Sequence, residues 1–125
     1  MPTILLVDDH DDIRDMMTRQ LQSRGFSVVA ATNGLEAVVA VAQSAPALIL
    51  MDINMPELDG IEATMQIRAA EPDNRIPVIA LTAYSLPGDQ ARALTAGCDA
   101  FHSKPVDFDK LCDQITEMIG ESHSL

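Results

Sequence analysis

Five polar side chains stand at the ends of apolar runs, and their types are complementary. Thr3–Val7 runs into Asp8 and Asp9, Ala47–Met51 into Asp52, Ile76–Leu81 into Thr82, and Cys98–Ser103 into Lys104. Each has an ordinary explanation when taken singly. An Asp after a strand caps a turn, an acid pair ahead of a helix suits its dipole, Thr is a β-former, and a Lys before a Pro is solvated. Taken together they suit one chemistry. Three carboxylates in one place repel one another unless a cation lies between them. A hard divalent ion with oxygen ligands, Mg2+ above all, fits that set. No sulfur or histidine stands where it would favour zinc, and His10, beside the acid pair, reads as a loop residue rather than a ligand. The Lys104 ammonium and the Thr82 hydroxyl suit a phosphoryl group, whose oxygens need neutralising during transfer. Asp52 is the group that could receive it, as a carboxylate nucleophile forming an aspartyl phosphate.

This chemistry requires elements that bring the strand ends together. Short apolar runs bounded by turn residues read as strands buried on both faces, and 3–7, 26–31, 47–51, 76–81 and 98–103 qualify. Helical stretches lie between them. Asp11 and Asp12 open the first, with Ile13, Met16, Met17 and Leu21 at helical spacing and Gly25 as its stop. Asn33-Gly34-Leu35-Glu36 and Asp59-Gly60-Ile61-Glu62 have the form of capping boxes for the second and third, the third ending near Glu71-Pro72. Ser85 caps a fourth that has Pro87 in its first turn and closes at Gly97, and Asp107 caps a fifth that runs to Gly120, leaving 121–125 frayed. Strands and helices alternating over short connections predict an α/β fold: a doubly wound, five-stranded parallel sheet with five helices. In strand order 2-1-3-4-5 the strands that end in polar residues are neighbours, and their carboxyl ends share one crevice.

Length and composition narrow the field further. A chain of 125 residues predicts a single domain, 1–125, with no linker, repeat or low-complexity segment. Three Phe, one Tyr and no Trp leave the core to aliphatic side chains. A net charge of −11, with only eight Lys plus Arg, argues against direct nucleic-acid binding and against attraction to anionic membranes, since both need basic patches. No apolar stretch reaches the roughly 18 residues of a membrane span, and Met-Pro-Thr lacks the features of a signal peptide. Cys98 and Cys112 have no metal spacing and read as reduced structural thiols. A soluble cytoplasmic protein is expected.

The motifs resemble those of a CheY-like receiver domain of a two-component response regulator, with its flavodoxin-like fold. The matching pieces are Leu5-Leu-Val-Asp-Asp9, Leu50-Met-Asp-Ile-Asn-Met-Pro56 with Asp59-Gly60, Val78-Ile-Ala-Leu-Thr-Ala83, and Lys104-Pro105, in order along the whole chain. The resemblance implies that Asp52 is the phosphoacceptor. It implies that Asp9 binds Mg2+ directly, that Asp8 helps through water, and that the main-chain carbonyl of Asn54 is a further ligand. Lys104 would pair with the phosphoryl group and be followed by a cis peptide bond. Thr82 and Phe101 would form the switch, the hydroxyl moving to the phosphoryl oxygen and the ring swinging inward; on its own, Phe101 reads as core. The face moved would comprise the fourth helix, fifth strand and fifth helix, leaving a monomer or a weak dimer through that face. Asn54 and Tyr84 occupy positions that influence phosphoaspartate lifetime, and the bulk of Tyr84 predicts slow self-dephosphorylation. His102 reads as a surface residue.

The stretches Leu81–Asp89 and Cys98–Pro105 are similar to free-standing DivK-like regulators and to receivers of hybrid kinases. Met1 favours the stand-alone regulator, with a receiver module of a hybrid histidine kinase as the alternative. Partners implied are a histidine kinase or histidine phosphotransfer protein and a downstream target protein, and the only catalysis implied is that of its own phosphorylation and dephosphorylation. A haloacid-dehalogenase-type phosphatase also forms an aspartyl phosphate beside Mg2+. That class wants a second acid two residues after the nucleophile, and here Asn54 stands there. A pseudo-receiver, acting only as an interaction module, is disfavoured by the intact acceptor, acid pair, Thr and Lys.

Overall fold

Aliphatic residues in unbroken runs build the centre of the molecule. The computed structural model describes residues 2–44, 46–53, 60–70, 76–82, 87–103 and 106–123. Its strands are β1 (Thr3–Val7), β2 (Ser27–Ala31), β3 (Leu48–Asp52), β4 (Val78–Thr82) and β5 (Ala100–Ser103), all parallel in the order β2-β1-β3-β4-β5. Between and after them run α1 (Asp11–Ser23), α2 (Gly34–Ser44), α3 (Gly60–Ala70), α4 (Pro87–Ala96) and α5 (Phe108–His123). Both β3 and β4 are buried along their whole length, as expected where helices cover a parallel sheet on both sides.

Side chains alternate across the sheet and so divide the core in two. Leu5, Val7, Ile49, Met51, Val78 and Ala80 face α2, α3 and α4, meeting Ala37, Ile61, Ile67 and Ala93. Ile4, Leu6, Leu48, Leu50, Ile79 and Leu81 face α1 and α5, meeting Met17, Leu21, Leu111 and Ile115. The apolar stripe of α1 is narrower than its spacing suggests: Met17 and Leu21 are buried, whereas Met16 is 45% exposed. No helix among the described residues is long and apolar enough to cross a membrane.

Boundaries follow local hydrogen bonding. Gly25 and Gly97, at φ 94° and 113°, turn the chain out of α1 and α4 where a side chain would be strained. Pro77 has no N–H to give to the ladder, so β4 begins at Val78 rather than at Ile76. Cys98 gives its amide to the Ala93 carbonyl and belongs to the end of α4, which delays β5 to Ala100. The Asn33 carboxamide accepts from the Glu36 amide, while the Glu36 carboxylate accepts from the amide and hydroxyl of Thr32, so the box closes one residue earlier than its motif implies. At α5 the Asp107 carboxylate accepts from the Lys110 amide. That helix passes through Gly120 to His123, because a glycine costs a helix only about 1 kcal/mol and the buried Leu111, Cys112, Ile115 and Ile119 already hold it down.

Candidate functional site

Register brings the polar strand ends level. Val7 pairs with Met51, Asp52 with Leu81, and Thr82 with Ser103. The next residue after Val7 is Asp8, which is fully buried; Asp52 is 1% exposed and Thr82 fully buried. By alternation Asp52 falls in line with Leu48 and Leu50, and Thr82 with Val78 and Ala80, so they reach the same edge from opposite faces of the sheet. Phe101 lies on the Thr82 side, half-buried against the core facing α3 and α4.

The loop from β1 into α1 is tied to this edge. The Asp8 amide donates to the Ala31 carbonyl, and the Asp8 carboxylate accepts from the His10 amide at 2.9 Å. Arg14, from the first turns of α1, donates to the Asp8 carbonyl at 2.9 Å and pairs with Asp11. Donor atoms of Asp8, Asp9, His10 and Asp52 all lie within 4.8 Å of one another. His10 Nδ1 stands 3.3 Å from Asp8 Oδ1 and 3.1 Å from Asp9 Oδ1. The latter contact is not directed as a hydrogen bond, and Asp9 Oδ1 is buried with no hydrogen-bond partner among the described residues.

These residues fit a divalent cation. An orphaned buried carboxylate oxygen beside two buried acids is an electrostatic cost that a cation offsets, and oxygen donors in a group this tight suit a hard ion. His10 stands in the loop ahead of α1, as the sequence reading has it, and its ring reaches the acids from there. His102 departs from its reading as a surface residue: it is half-buried on the α5 side of β5, and its Nε2 pairs with the Gln114 side chain of α5. Alternation, applied to Phe101, already dictates that His102 points the other way.

Asn54, Tyr84 and Lys104, with the Lys104-Pro105 bond, lie outside the described residues, as do the caps expected at Asp59 and Ser85. Lys104 directly follows Ser103, the register partner of Thr82. From the sequence, Gly60 reads as part of a capping pattern and of the motif shared with receivers, neither of which says what the glycine does. Its role is spatial: a Cβ there would stand 2.3 Å from the Asp52 carbonyl oxygen and 2.7 Å from Ile53 Cα. A second unread residue is Arg68, whose guanidinium bonds the carbonyls of Gly97 and Ile76 and the carboxylate of Asp99.

Residues 4–116 match the family model described as the response regulator receiver domain. The chain is 32% identical over 120 residues to the polar-differentiation response regulator DivK of Brucella anthropi and of Brucella ovis, covering 96% of this chain and 98% of theirs. Among solved structures it resembles the receiver domain of sensor histidine kinase PA1611 from Pseudomonas aeruginosa, which has a magnesium ion coordinated in its active-site cleft. The identity is 37%, the TM-score 0.88, and the coverage 95% of this chain and 98% of that one. The receiver domain of a signal transduction histidine kinase from Syntrophus aciditrophicus is 30% identical with a TM-score of 0.90, covering 100% of this chain and 95% of that one.

Proposed function

The chain belongs to the response regulator receiver family, and from that premise we propose that Asp52 is the phosphoacceptor of a two-component signalling switch. The observation that carries this reading is the gathering of Asp8, Asp9 and Asp52 at the sheet edge where Thr82 also ends its strand. In the transfer, a carboxylate oxygen of Asp52 attacks the phosphorus of a phosphohistidine on a histidine kinase or phosphotransfer protein. The new P–O bond forms as the P–N bond breaks, and the released imidazole takes up a proton. Asp8, Asp9, Asp52 and the Asn54 carbonyl would hold Mg2+, which when bound neutralises charge on the phosphoryl oxygens. The Thr82 hydroxyl donates to one of those oxygens and the Lys104 ammonium pairs with another. Asn54 and Tyr84 tune the lifetime of the phosphoform.

The signal leaves through packing. Thr82 and Phe101 share the side of the sheet that faces α3 and α4, so drawing the hydroxyl toward a phosphoryl group changes the space available to the ring. A phosphoryl group that favours one of two packings shifts their populations, and the face formed by α4, β5 and α5 reports the shift to a partner. A second reading, a receiver module within a hybrid histidine kinase, is supported by the 37% identity to the PA1611 receiver.

Incubation with acetyl phosphate and Mg2+, followed by intact mass measurement, tests the reading. A single phosphoryl adduct that needs Mg2+ and is absent from Asp52→Asn is the expected result. An adduct that persists in Asp52→Asn, or none with any phosphodonor, overturns it.

A further inference from the structure

His10 brings a nitrogen into a site otherwise made of carboxylate oxygens. We propose that His10 is a ligand of the divalent cation through Nδ1, so that the site takes borderline ions such as Ni2+, Co2+ or Zn2+ more tightly than Mg2+. This rests on reading the acidic cluster as the cation site of the phosphoacceptor.

The spacing is that of converging donors. Ligands about 2.1 Å from an ion keep neighbouring donor atoms about 3.0 Å apart in an octahedron and about 3.4 Å apart in a tetrahedron. His10 Nδ1 lies 3.1 Å from Asp9 Oδ1 and 3.3 Å from Asp8 Oδ1. The Asp9 contact is close yet not aligned as a hydrogen bond, and the oxygen stays orphaned. Nδ1 shares a hydrogen bond with Asp8 Oδ1 but none with Asp9 Oδ1, so an ion placed between the three atoms would take over the Asp8 bond and give the Asp9 oxygen a partner. His10 is the N-cap residue of α1, but its side chain makes no capping bond; its ring is held instead by the Asp8 carboxylate, which also accepts from the His10 amide, and this turns Nδ1 toward the acids. The ring is 60% exposed, which leaves it free to exchange a water for an ion from solution.

The donor chemistry makes the effect selective. Imidazole raises affinity along the first transition row, whereas Mg2+ keeps its oxygen ligands and water and gains little from nitrogen. The competing role for the ring is a cation paired with the two acids. In that role it would oppose every divalent ion alike, and removing it would strengthen Mg2+ and Ni2+ binding together.

Isothermal titration of the full chain with MgCl2 and with NiCl2 separates these roles. In His10→Ala the Ni2+ affinity is expected to fall on the order of tenfold, with Mg2+ affinity held within about twofold. Asp9→Asn should weaken both ions strongly, and the visible band of bound Co2+ should shift in His10→Ala as a nitrogen donor is lost. Unchanged Ni2+ affinity in His10→Ala, or an equal shift for both ions, overturns the inference while leaving the cation site intact. Ni2+ binding that survives Asp9→Asn places the ion elsewhere and also overturns it. A wild-type chain that binds neither ion overturns both the inference and the Mg2+ site beneath it.

Discussion

A Cβ on Gly60 would stand 2.3 Å from the carbonyl oxygen of Asp52, a distance at which no side chain can exist without displacing one of the two backbones. The first turn of α3 is therefore held against the last residue of β3, and the position of Asp52 depends on that contact. Gly60→Ala is expected to cost about 1–3 kcal/mol in urea unfolding, the usual range for overpacking. The backbone shift should also slow phosphorylation by acetyl phosphate by more than the stability loss accounts for, measured where the variant is fully folded. Wild-type stability together with a wild-type rate would show that the two backbones separate freely.

Arg68 joins three pieces of chain that sequence keeps apart. From α3 its guanidinium bonds the Gly97 carbonyl at 2.9 and 3.0 Å, the Ile76 carbonyl at 2.6 Å and Asp99 Oδ2 at 3.0 Å, and the same Asp99 oxygen accepts from the Val78 amide. Both side chains are mostly buried, with 16% and 20% exposed. Arg68→Met keeps the apolar stem but strips the cation from a buried carboxylate, so a loss of about 3 kcal/mol is expected. Adding Asp99→Asn to it should return part of that loss, and a double-mutant cycle of urea midpoints measures the coupling. Additive losses would mean that the pair is not an interacting unit.

The contrast between Gly60 and Arg68 shows what was legible beforehand. Uninterrupted aliphatic runs and short alternating connections leave few architectures, so the doubly wound parallel sheet followed from pattern; the order β2-β1-β3-β4-β5, which the pattern allowed but did not impose, is what puts Asp8, Asp52 and Thr82 on one edge. Arg68 was invisible because its partners are mainly backbone carbonyls, which no residue type advertises. His10 is a loop residue as its place in the sequence implies, but spacing along a chain says nothing about where a ring swings at the start of a helix, so its approach to Asp8 and Asp9 was not legible. His102 was misread because Phe101 was placed inward without applying alternation to its neighbour. Strand starts slipped by up to two residues where Pro77 and Cys98 obeyed local hydrogen bonding instead of hydropathy.

Cys98 gives the chain an alkaline dependence. Burial pushes its thiol above the ordinary value of 9.0, against weaker opposing effects from the Thr64 hydroxyl and Arg68. With the folded pKa raised, the unfolded chain loses its proton first, so unfolding releases a proton in this range and stability falls as pH rises. The contribution is complete below about pH 9 and disappears through the higher folded pKa. Cys98→Ala should therefore flatten the decline in stability measured by urea unfolding above that pH. Native Cys98 should also resist iodoacetamide at pH 8 and react once urea is added. Equal alkaline slopes in both proteins would remove the thiol from the account.

The acid cluster is expected to sacrifice stability for cation binding. Without a cation, Asp8, Asp9 and Asp52 crowd negative charge into a space 4.8 Å across, shared with His10, and Asp9 Oδ1 is buried without a hydrogen bond. Asp9→Asn removes one of those charges and supplies an amide that can donate, so the metal-free variant should unfold at higher urea than the wild type, by about 1 kcal/mol. Mg2+ should reverse the order. An ion that binds only the folded chain adds RT ln(1 + [L]/Kd) to its stability, about 2.7 kcal/mol when present at 100 times Kd, and Asp9→Asn forfeits most of this gain. Unfolding curves taken in EDTA and in excess MgCl2 would therefore cross in rank between the two proteins. If Asp9→Asn is the less stable protein in EDTA, the carboxylate is held by contacts within the fold and the cluster carries no electrostatic strain for a cation to relieve.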